Sequence, residues 1–293
     1  MGSWRFEAIG THWEIETTDT LPHAARAEVT AEIERFDREW SRFRADSDVV
    51  RLGREGGSFA STDARAMLDA YRELSAATGG AVNPLVADSL EALGYDADYS
   101  LVAGEPVRAP EAWEHRLSWT DTEVTASAPA LVDVGALGKG RLVDLVTEVL
   151  APVPGDLVVD AGGDIRVRGA GVRIGLEHPY DPTKAIGVVE VRDQALCASA
   201  INRRAWGSGL HHVLDARTGL PVRTWAASWA WAPEAMTADA VATALFFDGG
   251  SEIAATWGVE WVRMSTDGRV QRSPGCPAEL FVVVGDAHPS VQN

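Results

Sequence analysis

Cysteine is scarce in this chain: Cys197 and Cys276 are the only two among 293 residues. Two thiols provide no disulfide framework, which sets aside the small cross-linked secreted class. Basic side chains are also in short supply. The 26 Lys and Arg stand against 43 Asp and Glu, for a formal net charge of −17. A general nucleic-acid binder needs a basic surface to meet phosphates, so that class is argued against. A phosphate-bearing small ligand stays open, because a pocket's field can differ in sign from the whole molecule. No apolar run approaches the length of a membrane span. The first residues, Met1 to Thr11, lack a charged segment followed by an apolar one, so no signal peptide is visible and a cytoplasmic setting is the expectation. Internal repeats, low-complexity tracts and obvious linkers are missing as well.

What is present is an ordinary globular composition, 46% apolar and 24% charged. A chain of this length buries a substantial core as one large domain or two closely packed lobes. Trp4 to Glu16 alternates around Gly10-Thr11 and reads as strand, bend, strand. Val29, Ile33, Phe36, Trp40 and Phe43 fall at 4, 3, 4, 3 spacing, which predicts an amphipathic helix. A second helix is expected from Ser61 or Thr62 to Gly79-Gly80, and a third opens at Gly138-Lys139-Gly140. Leu117 to Ala126 reads as a strand pair. Strands follow at Leu157 to Asp160, Ile165 to Arg168, Val172 to Leu176 and Ile186 to Arg192, then at Thr224 to Ala232, with a helix over Ala235 to Phe247. Val259 to Ser265 and Leu280 to Val284 read as a closing pair turned at Asp267-Gly268. Helices early and strands in the middle make α+β the expected class.

The densest chemistry lies in H-H-V-L-D-A-R-T-G at His211 to Gly219, followed by T-A-D-A-V-A-T-A-L-F at Thr237 to Phe246. On a helix Asp239 and Thr243 share a face, and oxygen ligands one turn apart suit a hard cation such as Mg2+. The plain alternative is a capping Asp and a Thr bonded back to a carbonyl. Lys139, in G-A-L-G-K-G, opens a helix where backbone N–H groups can meet an anion, or it is simply a solvated side chain on a tight loop. It is not a Walker A motif. Gly162-Gly163-Asp164 admits close approach of a ligand or an ordinary Asx turn. His212 is a candidate general base by its ordinary pKa, with a structural histidine as the alternative. Adjacent histidines on a strand point to opposite faces, so one of the pair at most faces a given site. Arg203-Arg204 reads as a phosphate clamp or a solvated turn. Trp225, Trp229 and Trp231 fall at even spacing, as one packed face of a strand requires.

The order of these pieces resembles the ApbE family of flavin transferases, which move FMN from FAD onto a protein. The blocks are I-G-T at Ile9 to Thr11, S-R-F-R-A-D-S at Ser41 to Ser47, and G-G-A-V-N-P at Gly79 to Pro84. Then come D-V-G-A-L-G-K-G-R-L-V-D at Asp133 to Asp144, A-G-G-D-I at Ala161 to Ile165, A-S-A-I-N-R-R-A-W at Ala198 to Trp206, and the histidine run with its helix. The resemblance implies two closely associated lobes of mixed or antiparallel sheet flanked by helices, forming a single functional unit over 1–293, with a flavin cleft between the lobes. It implies Mg2+-dependent transfer of FMN from FAD to a Thr or Ser hydroxyl of an acceptor protein, with release of AMP. Hydrolysis of FAD to FMN and AMP, or FAD binding without cleavage, are the competing functions. By motif position, Asp239, Thr243 and the Gly138 carbonyl are the implied metal ligands and His212 the implied base. Implied flavin contacts are Phe43, Ala81, Val82, Asn83, Gly135, Arg141 and Val213, with Ile9 beside them. Asp215, Arg217 and Thr218 are expected to shape a turn and support the phosphates.

Five positions depart from the family pattern. Ile9 stands for Met, Asn83 for Asp, Gly53 for Asn, Ala200 for Gly, and Ala216 for the Pro of D-P. Asn83 calls FAD handling into question, since an amide cannot accept two charge-assisted bonds. Ala216 is expected to loosen its turn. No Thr-bearing acceptor motif is evident within the chain, so action on a separate protein is the expectation.

Overall fold

In the computed structural model, residues 2–281 are described. The chain opens with β1 (Gly2–Ala8) and β2 (Thr11–Thr17), a hairpin turned at Ile9-Gly10, then α1 (His23–Trp40), α2 (Asp48–Glu55), β3 (Gly57–Ala60), α3 (Ala64–Ala77) and α4 (Ala87–Ala92). After a long connection come β4 (Leu117–Trp119), β5 (Glu123–Ala126), α5 (Gly138–Val149), β6 (Leu157–Asp160), β7 (Asp164–Arg168), β8 (Val172–His178), β9 (Asp181–Val191) and β10 (Ala195–Ala200). Four two-residue strands follow: β11 (Ala205–Trp206), β12 (Leu210–His211), β13 (Leu214–Asp215) and β14 (Leu220–Pro221). The chain continues through β15 (Trp225–Ala232), α6 (Ala235–Ala244), α7 (Gly250–Thr256), β16 (Glu260–Ser265), β17 (Val270–Arg272) and β18 (Glu279–Leu280).

Eight strands form one antiparallel sheet in the order β1-β2-β6-β7-β10-β15-β16-β17. Strand residues alternate between faces, and both faces of the central strands are covered. On β10 and β15, Cys197, Ala230 and Ala232 enter the core under α1, α5 and α6. Leu196, Trp229 and Trp231 enter a second core, closed by the three-stranded sheet β18-β9-β8. A third small sheet, β3-β5-β4, stands apart. This is the α+β class expected.

Several sequence expectations need correction. Helix α1 ends at Trp40, so its periodic residues Val29, Ile33, Phe36 and Trp40 are buried while Phe43 lies beyond the helix. The three tryptophans do not share one face. The register of β15 against β16 shifts between Trp225 and Ala227, and Trp225 joins the helix-side core while Trp229 and Trp231 face the other way. One bulged residue reverses every face on its far side. The partner of β16 is β17, whereas Leu280 pairs with Gly187 of β9. The rest of the expected last strand, 282–284, lies outside the described residues.

Candidate active site

A cavity of about 450 Å³ opens where the β1–β2 turn, the ends of α1 and α3, the start of α5 and the segment after β12 converge. Ile9, Phe43, Ala81, Val82, Asn83, Gly135, Gly138, His212, Val213 and Thr243 all line it. Of the twelve residues singled out from sequence, Asp239 and Arg141 do not. Asp239 is buried one helical turn before Thr243 on α6. Arg141 turns away: its Nε donates to Asp63 Oδ1 at 2.8 Å, and the same fully buried carboxylate takes Arg35 at 2.8 Å. Arg141 thus ties α5 to α1 and to the start of α3, away from the cavity wall.

The α5–α6 crossing sets the inner wall. Gly140 packs so closely that a Cβ there would lie 2.7 Å from Asp239 Cβ and collide with the Ala235 carbonyl. Its N–H donates to Asp239 Oδ2 at 2.9 Å. The start of α6 is capped across the crossing by Asp144, which accepts Ala235 N–H at 2.8 Å and Met236 N–H at 2.9 Å and pairs with Arg166. A carboxylate on the first free N–H groups of a helix satisfies them and complements its dipole. The cap of α6 is therefore Asp144, while Asp239, within α6, takes a free first-turn N–H of α5 at Gly140, so each helix start is satisfied by a carboxylate of the other.

Lys139 is not a solvated loop residue. It lines the cavity and pairs with Asp164, the fully buried Asp of the Gly-Gly-Asp turn. Asp164 has no hydrogen-bond partner at Oδ1. Burial, then the negative charge of Asp164, pushes the Asp239 carboxyl well above the usual range. Two buried carboxylates thus share one ammonium, a local deficit of positive charge.

The rim is fixed by hydrogen bonds. Tyr71 donates to the Asp133 carbonyl at 3.0 Å and accepts from Ala136 N–H at 3.3 Å, which holds the Asp-Val-Gly-Ala loop. Buried Arg42 donates to Asp133 at 2.6 Å and to the Tyr95 carbonyl at 2.8 Å, and its guanidinium lies 4.1 Å from the Phe43 ring centre. Tyr99 stacks on the same Phe43 ring at 5.2 Å. His211 faces away and its Nε2 meets the Val222 carbonyl at 2.8 Å, while His212 faces the cavity. The two histidines divide as strand geometry requires. Burial first, then the Arg204 charge, presses the His212 imidazole down to about 3. It is therefore neutral at pH 7, with Nδ1 buried and unpartnered.

Three of the five departures have structural reasons, and nothing in the structure explains Ile9 or Ala200. Asn83 donates from Nδ2 to the Pro110 carbonyl at 2.9 Å and accepts Leu85 N–H at 2.9 Å. Ala216 N–H donates to the Ala81 carbonyl at 3.1 Å, a bond proline cannot make. The substitution therefore tethers the turn instead of loosening it. Gly53 packs its Cα edge on Leu131, where a Cβ would sit 3.0 Å from that side chain. Asp215 and Arg217 form an ion pair with each other at 2.6 Å and shape the turn as expected. Sequence reasoning passed over Asp144, Arg42 and the burial of Asp164. The spacing G-K-G-x-x-x-D carries Asp144, but its target helix lies 91 residues on.

The sequence matches the ApbE family profile over residues 9–262. It is 30% identical to the FAD:protein FMN transferase of Rhodobacter capsulatus, over 96% of this chain and 58% of that protein. The chain therefore spans little more than half the length of that relative. It is 24% identical to the FAD:protein FMN transferase of Klebsiella pneumoniae strain 342, over 74% of this chain and 69% of the other. Among solved structures, the ApbE protein of Thermotoga maritima superposes with a TM-score of 0.79 at 21% identity, covering 93% of this chain and 96% of that one. The flavin transferase ApbE of Vibrio cholerae gives 0.76 at 22%, with the same coverages. The shared fold and a profile match over most of the chain lead to one conclusion: the chain belongs to the ApbE family.

Proposed function

We propose that this protein transfers FMN from FAD to a Thr or Ser hydroxyl of an acceptor protein, releasing AMP, with Mg2+ bound at the phosphates. The observation that carries the reading is convergence. Gly138, Thr243 and His212, from three separated segments, line one cavity beside the buried Asp239. The names of the R. capsulatus and K. pneumoniae relatives support the same chemistry.

Among the described residues, no group of three or more His, Cys, Asp or Glu is placed to hold a metal. The proposed set is of another kind: the Asp239 carboxylate, the Thr243 hydroxyl and the Gly138 carbonyl, all hard oxygen donors of the sort Mg2+ takes. The unpartnered Asp164 oxygen and the paucity of positive charge beside Asp239 fit a cation there. When bound, Mg2+ neutralises charge on the anhydride phosphates and orients them.

The protein's own groups supply the rest. Neutral His212 accepts the proton of the acceptor hydroxyl as that oxygen attacks the flavin-side phosphorus. A substrate phosphate beside it raises its affinity for that proton. The aromatic wall of Phe43, Tyr95 and Tyr99 offers flat apolar surface for a ring system. Asp144 and Gly140 position α6, and so Asp239 and Thr243.

The test is incubation with FAD and Mg2+, with and without an acceptor domain, following AMP and acceptor mass. AMP only with acceptor, plus an FMN-sized mass gain, is expected. AMP without acceptor favours hydrolysis, and FAD binding without AMP in either case overturns the catalytic reading.

A further inference from the structure

The fold separates the two arginines at 203 and 204. Arg203 is exposed and pairs with Glu177 at 3.3 Å. Arg204 is half-buried and lines the cavity. The other cationic side chains of that wall are already compensated: Arg42 by Asp133, Arg44 by Asp37 and its neighbours, and Lys139 by Asp164. The carboxylates lining it, Asp37 and Asp133, are spent in those pairs. Among the described residues, Arg204 is the one lining Lys or Arg whose charged group has neither an ion pair nor a hydrogen bond within the protein. A partly desolvated charge without a partner is costly unless a ligand supplies the counter-charge.

The strand register gives this charge an address. β11 and β12 pair antiparallel, with Ala205 opposite His211 and Trp206 opposite Leu210. One step further, Arg204 stands opposite His212, whose N–H donates to the Arg204 carbonyl at 3.2 Å. The two residues are therefore backbone neighbours just beyond the ladder, and both line the cavity.

We propose that Arg204 is the phosphate-recognition residue of this site, binding the non-bridging oxygens of the flavin-side phosphoryl group. The inference rests on the flavin-transfer reading and adds where the reacting anion sits. In the step, the acceptor hydroxyl oxygen bonds to the flavin-side phosphorus and its proton passes to His212. The bond from that phosphorus to the bridging oxygen breaks, and AMP leaves with the bond's electron pair. Arg204 exchanges no proton. Its planar fork holds the phosphoryl group against His212 and offsets the charge spread over the equatorial oxygens. The recognised class is a flavin carrying a phosphate, as its monoester or anhydride.

The experiment compares FMN with riboflavin, which share the ring and ribityl chain and differ in the phosphate. Each is titrated into the full chain with Mg2+ present, and flavin fluorescence is followed. Wild type is expected to prefer FMN. Arg204→Gln should weaken FMN about 10- to 100-fold, the loss of a charge-assisted pair, and leave riboflavin unchanged. Arg204→Lys keeps the charge without the fork and should fall between the two. The guanidinium holds no partner in the protein, so both variants should melt like wild type. Unchanged FMN affinity in Arg204→Gln overturns the proposal. So does equal weakening of FMN and riboflavin, which would make Arg204 a support of the wall. A wild type that binds neither FAD nor FMN overturns this proposal and the transfer reading together. A wild type that releases no AMP, yet loses its FMN preference in Arg204→Gln, fails the transfer reading alone.

Discussion

At Asn83 the chain uses both ends of an amide where a carboxylate has only acceptors. Asn83→Asp removes the donor to Pro110 and sets an anionic oxygen against a carbonyl. The expected cost is about 1–3 kcal/mol, read as a lower denaturation midpoint. His212 gives a different kind of prediction. Its imidazole is held down to about 3 against 6.5 unperturbed. Above pH 6.5 it is neutral folded and unfolded, and it contributes no pH dependence. Between 6.5 and about 3 the unfolded chain takes up a proton that the folded site refuses, so stability falls as pH falls. Denaturant titrations at several pH values should show a shallower fall in His212→Gln, and an identical slope would refute the assignment. In turnover the same variant should lose about 100- to 10,000-fold, the range for a positioned base, with FAD affinity nearly kept. Asp239→Ala should stop AMP release while FAD still binds, and wild-type activity in that variant would remove Asp239 from the metal set.

Elements, more than residues, decide the inner wall of the cavity, because α5 and α6 cross at Gly140. Gly140→Ala forces the two backbones apart and is expected to cost about 1–3 kcal/mol, the usual penalty for overpacking. Its Mg2+-dependent rise in Tm should shrink with it. This scale also shows what was legible in the sequence. Long periodic helices such as α1 and α5 announced themselves, as did the β1–β2 hairpin. Helices α2 and α4 did not, because eight and six residues offer too little period, though Ser47 does cap α2 by accepting Val50 N–H at 3.2 Å. The cavity residues were legible as ordered blocks. What was not legible was long-range: Arg141 spent on Asp63, Asp144 capping a helix 91 residues away, and a bulge that turned Trp225 over. Those depend on which elements meet, and spacing along one element carries no record of that.

For the molecule as a whole, a net charge of −17 works against compactness through self-repulsion. Raising ionic strength from about 0.01 M to about 0.15 M shortens the screening length from roughly 30 Å to roughly 8 Å. Tm is expected to rise over that interval, and a fall would mean that the surface ion pairs outweigh the repulsion. Against that background the cavity lining is an exception, with its charged side chains paired except for the cation Arg204.

The ladder that presents His212 is only two residue pairs long. Strand side chains alternate, so a slip of one residue would turn His211 toward the cavity and His212 away from it. Two pairs cannot secure a register by themselves. Here it is secured from outside, by Trp206 Nε1 donating to the Leu93 carbonyl at 2.9 Å and by His211 on Val222 at 2.8 Å. His211, turned away from the cavity, acts as the latch that decides which histidine faces it. Loosening that latch is expected to turn His212 out of the cavity while the fold persists.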